Sequence, residues 1–329
     1  ARTEVDHIPT DLMAEHYAQR ASGGLIIAEA TMAMEGCSSF WKEPGIYSDA
    51  QIAGWKKVTD DVHAKGGKIV LQIWHGGRTC HPALNNGKTP VAPSAIAVDD
   101  EVHTPEGKLP YTVPKALRLE EIPAIIQGFK QAAINAKTAG FDGVEVHGAN
   151  GYLLDQFLRD GSNLRTDSYG GSIENRARLL LEVLNAVTEV WGSERVGLRI
   201  SPVNSYNSMK DSDPVGLTQW LCEKLNDFNL AYLHVMRSDF FGVQQQDVIS
   251  AAEEIYKGNL MGNMGYDAAE AEAVIAEGKQ AAVAFGVIYL ANPDLPERFK
   301  AGAELNEANP DTFYTPGAEG YTDYPFMKA

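Results

Sequence analysis

The chain has 329 residues, 44% of them apolar, with 28 Lys and Arg against 44 Asp and Glu for a formal charge of −16 and a pI near 4.9. An acidic surface argues against nucleic acid or an anionic membrane as the main partner, and no apolar run approaches the length of a membrane span. Cys37, Cys80 and Cys222 are odd in number and form no Cys-x-x-Cys pair, which argues against a disulfide framework or zinc site and for a reducing, cytoplasmic setting.

No basic-then-apolar leader opens the chain, although it begins at Ala1 without a methionine, so a removed leader stays open. Thr10 offers a helix start, and Asp11 to Ala21 places Leu12, Met13 and Tyr17 on one side before Gly23-Gly24 stops it. Leu25 to Thr31 is apolar without alternation, the pattern of a strand buried on both faces. Ser48 and Gln51 form a capping box for a helix with Ile52, Trp55, Val58 and Val62 as its inward stripe. The next strand is Lys68 to Trp74. From Cys80 to about residue 116 the chain is too interrupted by proline and glycine for a helix, and reads as an excursion over a site with a short hairpin.

Helix Leu119 to Thr138 then feeds strand Gly143 to His147, and helix Ser172 to Val190 feeds strand Val196 to Ile200. Helices at Pro214 to Phe228, Val248 to Tyr256 and Asp267 to Glu277 alternate with strands at Ala231 to Val235, Asn259 to Gly262 and Ala281 to Gly286. Sustained alternation, with polar residues just past the strand ends, predicts an α/β protein of the TIM (β/α)8-barrel type. About seven strands are visible where such a barrel has eight. Residues 1–329 read as a single domain whose tail after Ala303 wraps the barrel.

In such a barrel, function collects at the C-terminal strand ends. The densest is Val144 to Tyr152, where His147 and Asn150 can aim donors at one oxygen and Tyr152 can bring a phenolic proton to the same place. Each of these residues taken alone also suits a purely structural role. Gln72 and Arg199 are polar side chains inside strands, suited to a bound polar group; for Arg199 the alternative is an internal salt bridge to a barrel carboxylate such as Glu145. Trp74 is either strand-end packing or one wall of a planar-ligand pocket. The glycine-bearing ends Gly262-Asn263 and Gly286-Val287 suit phosphate bound through backbone N–H groups.

His147-Gly148-Ala149-Asn150-Gly151-Tyr152-Leu153-Leu154-Asp155-Gln156-Phe157, followed by Asn163-x-Arg165-x-Asp167-x-Tyr169-Gly170-Gly171-Ser172 and Glu174-Asn175-Arg176, closely resembles the Old Yellow Enzyme family of flavin-dependent ene-reductases. The resemblance extends through Ala28-Glu29-Ala30-Thr31, Gln72-Ile73-Trp74-His75, Leu198-Arg199-Ile200-Ser201-Pro202, Ala291-Asn292-Pro293-Asp294-Leu295 and Gly320 to Pro325. It implies FMN held without a covalent bond, reduction by NADPH or NADH, and hydride delivery to the β-carbon of an activated enone, enal or nitroalkene. It further implies that His147 and Asn150 bind the substrate oxygen and that Tyr152 protonates the α-carbon. By the same resemblance Gln72, Arg199, Ala30, Gly262, Asn263, Gly286 and Val287 contact the cofactor, and Trp74, Tyr321 and Phe40 line the substrate pocket, with Trp41 and the excursion at its mouth. A monomer or homodimer without nucleic-acid or membrane partners is expected.

Two departures qualify this. The family's first barrel strand belongs before Ala1, and its lack here implies weakened folding or poor FMN retention; Val287 stands where many relatives carry a phosphate-pairing arginine. A truncated, non-catalytic barrel with weak or no FMN binding is therefore the alternative function. A second rival is a metal held by His75, His147 and His234, although no carboxylate accompanies them in ligand spacing.

Overall fold

The computed structural model describes residues 2–328. Helix α1 (Asp11–Gln19) starts where Thr10 accepts the amide of Met13. The run after it forms two short strands, β1 (Ile26–Ile27) and β2 (Thr31–Met32). The expectation of one strand buried on both faces is corrected here. Leu25, Ile27 and Ala30 are half-buried, and the Glu29 amide donates to the Tyr17 hydroxyl at 2.9 Å instead of to a strand. Helix α2 (Asp49–Ala64) carries the expected Ser48–Gln51 capping box and buries Trp55, Val58 and Val62.

Strand β3 (Ile69–Trp74) is buried throughout. The excursion follows, with β4 (Val91–Ala92), an antiparallel hairpin of β5 (Glu101–Thr104) and β6 (Gly107–Pro110), and β7 (Lys115–Ala116) paired to β4. Then come α3 (Ile122–Thr138), β8 (Gly143–Gly148), α4 (Leu153–Leu158), α5 (Ile173–Trp191), β9 (Val196–Ile200), α6 (Pro214–Leu225) and β10 (Tyr232–Met236). The last elements are α7 (Val248–Ile255), β11 (Leu260–Asn263), α8 (Ala268–Ala276), β12 (Ala282–Ala284), α9 (Val287–Ala291) and α10 (Leu295–Ala301). Short α4, α9 and α10 were not legible as periodic patterns, since fewer than two turns carry no repeat.

The strands form one parallel sheet in the order β1-β3-β8-β9-β10-β11-β12, with β2 also on β3. This is the curled α/β sheet of a TIM-type barrel with seven strand positions; among the described residues none links β12 to β1. Helices pack outside it in pairs, α1 on α2, α3 on α5 and α6 on α7. One continuous apolar core runs from Met13 through Trp55, Phe129, Leu180 and Leu233. No helix is long and apolar enough to cross a membrane.

Candidate active site

Parallel register brings the strand-borne polar residues together. Gln72 lies opposite Glu145 across β3 and β8, His147 opposite Arg199 across β8 and β9, and Arg199 opposite His234 across β9 and β10. Adjacent strands run about 4.8 Å apart, so these groups form one polar layer near the C-terminal end of the sheet. Glu145 is its hub: Gln72 Nε2 donates to Oε1 at 2.6 Å and His234 Nδ1 lies 2.9 Å from Oε2. Burial would raise the Glu145 carboxyl, but His234 and Arg199 outweigh it and hold the group down at about 2. Arg199 makes no ion pair with Glu145 among the described residues. Its direct partner is Asn263 Oδ1 at 3.1 Å, and its Nε is buried with no partner. The internal salt bridge weighed from sequence is thus replaced by an arginine near a carboxylate already taken by two neighbours.

Beyond β8 the chain turns sharply. Asn150 and Gly151 both have positive φ, 56° and 76°, and a Cβ on Gly151 would stand 2.7 Å from Asn207 Cβ, so only glycine fits there. The turn is pinned from several sides. Gly151 N donates to Asp155 Oδ2 at 2.8 Å, Gln156 Nε2 donates to Gly151 O at 2.7 Å and to Gly76 O at 3.0 Å, and Leu153 N donates to His75 O at 2.9 Å. Asn150 Oδ1 accepts from Asn204 Nδ2 at 2.9 Å, which leaves the Asn150 Nδ2 group as a donor.

Around this turn lies an aromatic wall. Trp74 meets Tyr152 edge to face at 4.3 Å and His147 at 6.1 Å, and Phe40 stacks on Trp74 at 5.9 Å. His147 and Tyr152 are 2% and 6% exposed, yet neither imidazole nitrogen of His147 has a hydrogen-bond partner. Two unmade hydrogen bonds on one buried ring cost on the order of 1–3 kcal/mol each. Burial and the Arg199 charge push the His147 imidazole down to about 3, so it is neutral and has one N–H to give.

The other sequence-picked residues fall in different places. Tyr321 packs flat on His16 at 3.8 Å with the Arg2 guanidinium 4.7 Å from its ring. The C-terminal aromatic beside the wall is Tyr314, 79% exposed and stacked on Phe40 at 6.3 Å. Trp41 turns outward and lines a cavity of about 280 Å³ with Tyr47 and Lys88. A Cβ on Gly262 would strike Gln280 Oε1 at 2.2 Å, which accounts for that glycine by packing alone. Asn263 bridges Arg199 and, through Nδ2, Ala284 O at 2.9 Å. Gly286 is open, with nothing within 4 Å of an added Cβ, and Val287 after it is 54% exposed. Ala30 is half-buried in the break between β1 and β2.

The long motif after Tyr152 is structural. Arg165 pairs with Asp167 at 2.6 Å and donates to Pro93 O at 3.1 Å, tying the excursion down, and Arg176 holds Leu158 O at 2.7 Å. Residues not singled out from sequence also reach the site from the loop after β9: Asn204 and Asn207 each hydrogen-bond Asn150, and Tyr206 O lies against Gly151. The metal reading fails on geometry. His75 Nδ1 accepts from Gly77 N at 2.9 Å, His234 is held by Glu145, and no group of three or more His, Cys, Asp or Glu among the described residues could hold a metal ion.

Buried neutral imidazoles carry a pH signature. Burial pushes His75 down to about 4, and lowers His16 and His234 as well. Because folded values lie below the unfolded value of about 6.5, their stabilisation is whole above that pH and is lost as pH falls toward 4 and 3. Two carboxyls oppose this. Burial pushes Glu43 up to about 8 and Asp155 up to about 6, so their share is lost as pH rises through those values. Four imidazoles outweigh two carboxyls on the acid side. The urea midpoint is therefore expected to peak at roughly pH 6.5–7.5 and fall on both sides; a midpoint that keeps rising from pH 7 to 5 would contradict neutral buried histidines.

Comparison with known proteins shows the family to which the chain belongs. Residues 1–306 match the model of the NADH:flavin oxidoreductase / NADH oxidase family. A probable flavin mononucleotide-dependent alkene reductase of Leishmania infantum is 51% identical over 332 residues, covering 99% of this chain and 91% of that protein. Among solved structures, morphinone reductase superposes with a TM-score of 0.94 at 46% identity, covering 99% of this chain and 90% of its own. The old yellow enzyme of Trypanosoma cruzi gives 0.95 at 43%, covering 100% and 94%. The chain therefore belongs to the NADH:flavin oxidoreductase / NADH oxidase family, on its Old Yellow Enzyme branch.

Proposed function

We propose that this enzyme reduces the activated C=C bond of α,β-unsaturated carbonyl or nitro compounds, with FMN as bound cofactor and NADH or NADPH as reductant. The observation carrying this reading is the buried His147 ring with two unpartnered nitrogens, set beside Tyr152 and an Asn150 amide oriented as a donor.

The residues present fit a flavin. A planar polar ring system needs donors and a cation along one edge, and the inner layer offers the unpartnered Arg199 Nε and His234 Nε2 next to Gln72. Gln72, Arg199 and Ala30 would hold the ring, while the open backbone at Gly286 and Val287 admits a phosphate. Gly262 and Asn263 line the same end of the sheet, Asn263 by steadying Arg199. Bound FMN supplies two-electron hydride transfer from a nicotinamide to the β-carbon of the alkene.

The protein's own groups do the rest. His147 and Asn150 donate to the substrate oxygen, drawing electron density off the alkene and stabilising the enolate-like charge that develops. Donors fixed before the reaction act best in a dry site, and Trp74 and Phe40 exclude water on one side. Tyr152 gives its proton to the α-carbon as general acid. Burial pushes its pKa well above the phenolic range, so the proton is present at every working pH.

The fate of the two hydrogens tests this. Cyclohex-2-enone turned over in D2O is expected to carry solvent deuterium at the α-carbon and unlabelled hydride at the β-carbon, read by NMR of the product. Solvent label at the β-carbon would refute the scheme.

A further inference from the structure

We infer that Asn204 is a positioning residue for Asn150: its carboxamide decides which end of the Asn150 amide faces the substrate oxygen. This rests on Asn150 donating to that oxygen, as proposed above.

The two ends of a carboxamide have nearly the same shape, so packing does not tell the nitrogen from the oxygen and only hydrogen-bond partners do. The backbone of Asn150 is already fixed. Its N donates to Ser201 Oγ at 2.7 Å, its O accepts from Asn207 Nδ2 at 2.8 Å, and its φ is 56°. What stays open is rotation of the side-chain amide. Turned one way, Nδ2 is a donor for the substrate; turned the other, Oδ1 sets lone pair against lone pair and repels the charge that develops there.

Asn204 makes that choice because its own amide has no freedom to turn. Its Oδ1 accepts from the main-chain N of Phe240 at 3.3 Å and from the main-chain N of Tyr206 at 3.4 Å. Backbone N–H groups only donate, so the Asn204 oxygen must face them and its Nδ2 must face Asn150. That nitrogen donates to Asn150 Oδ1 at 2.9 Å. A reversed Asn150 amide would set donor against donor. Asn204 is itself fully buried, its N donating to Ser201 O at 3.1 Å and its O accepting from Arg159 Nη1 at 2.6 Å.

Orientation thus passes from main chain to substrate through two amides. One of the anchoring N–H groups belongs to the loop after β10, which Asp239 fastens to the loop after β9 by accepting from Ser205 N at 2.8 Å and from Val243 N at 2.8 Å. Two loops set one donor.

The test uses the FMN-loaded enzyme. Asn204→Asp keeps the shape and both backbone contacts but, as a carboxylate, accepts where the asparagine donates, so the Asn150 amide turns and presents its oxygen. Its kcat/KM for cyclohex-2-enone should fall about 10²-fold, the loss of one aimed donor, mainly in kcat and with KM within about threefold. Asn204→Ala leaves the amide unaimed instead of reversed and should lose only about tenfold. Both variants should keep bound FMN with an unaltered visible spectrum. In an Asn150→Gly background, which keeps the positive φ and removes the amide, neither replacement should lower turnover further. A residue that only fills space would tolerate the isosteric aspartate better than alanine. A smaller loss in Asn204→Asp than in Asn204→Ala, or a full additional loss from Asn204→Ala in the Asn150→Gly background, would overturn the inference. If Asn150→Gly alone turns over normally, the donor assignment of Asn150 is what fails, and the role of Asn204 falls with it.

Discussion

Replacing Tyr152 by phenylalanine is expected to leave reduction of bound FMN by NADH nearly unchanged and to slow its re-oxidation by an enone on the order of 10²–10⁴-fold. The two half-reactions separate because only the second needs a proton at carbon. Phenylalanine keeps the edge-to-face contact with Trp74 and the tilted contact with His147. The turn is held by main-chain bonds at Gly151 and Leu153, so the fold should survive. Anaerobic stopped-flow, following flavin absorbance in each half-reaction separately, reads the effect. Equal slowing of both halves would mean that Tyr152 shapes the pocket without donating the proton.

The second large effect falls on His147. His147→Phe preserves a ring of similar size and deletes the one N–H that the neutral imidazole can offer. Removing a single preorganised donor to a developing oxyanion costs about 10²–10³ in rate, and kcat/KM for an enone should fall by that amount. Stability should move the opposite way. The replacement removes two buried, unpartnered nitrogens, so the unliganded variant is expected to unfold at equal or higher urea concentration than the unaltered chain. A loss of activity joined to a gain in stability is the mark of a group held for ligand binding. A fall in both would instead assign His147 a structural role.

Much of this was legible in the chain because it is local. The capping box at Ser48 and Gln51 and the strand containing His147 are each specified within a few residues. What escaped depends on register and loop path. Glu145 becomes a hub only because β8 lies between β3 and β9 and its carboxylate reaches His234 on β10. Tyr314 and Tyr321 lie seven positions apart in one tail, and nothing in their spacing says that Tyr321 stacks on His16 while Tyr314 stacks on Phe40. Asn204 and Asn207 matter because the loop after β9 folds back onto the turn at Asn150. The break in the Leu25 to Thr31 run has the same origin, since the Tyr17 hydroxyl takes a backbone amide that an isolated strand would pair.

The most direct measurement is the visible spectrum of the purified chain, supplemented with FMN if needed, then treated anaerobically with NADH or NADPH and cyclohex-2-enone in turn. A yellow protein that bleaches with the nicotinamide and recovers its colour with the enone is the expected result. A chain that stays colourless with FMN, or a bleached flavin that the enone does not re-oxidise, would contradict the assignment of the His147, Asn150 and Tyr152 cluster as an ene-reductase site.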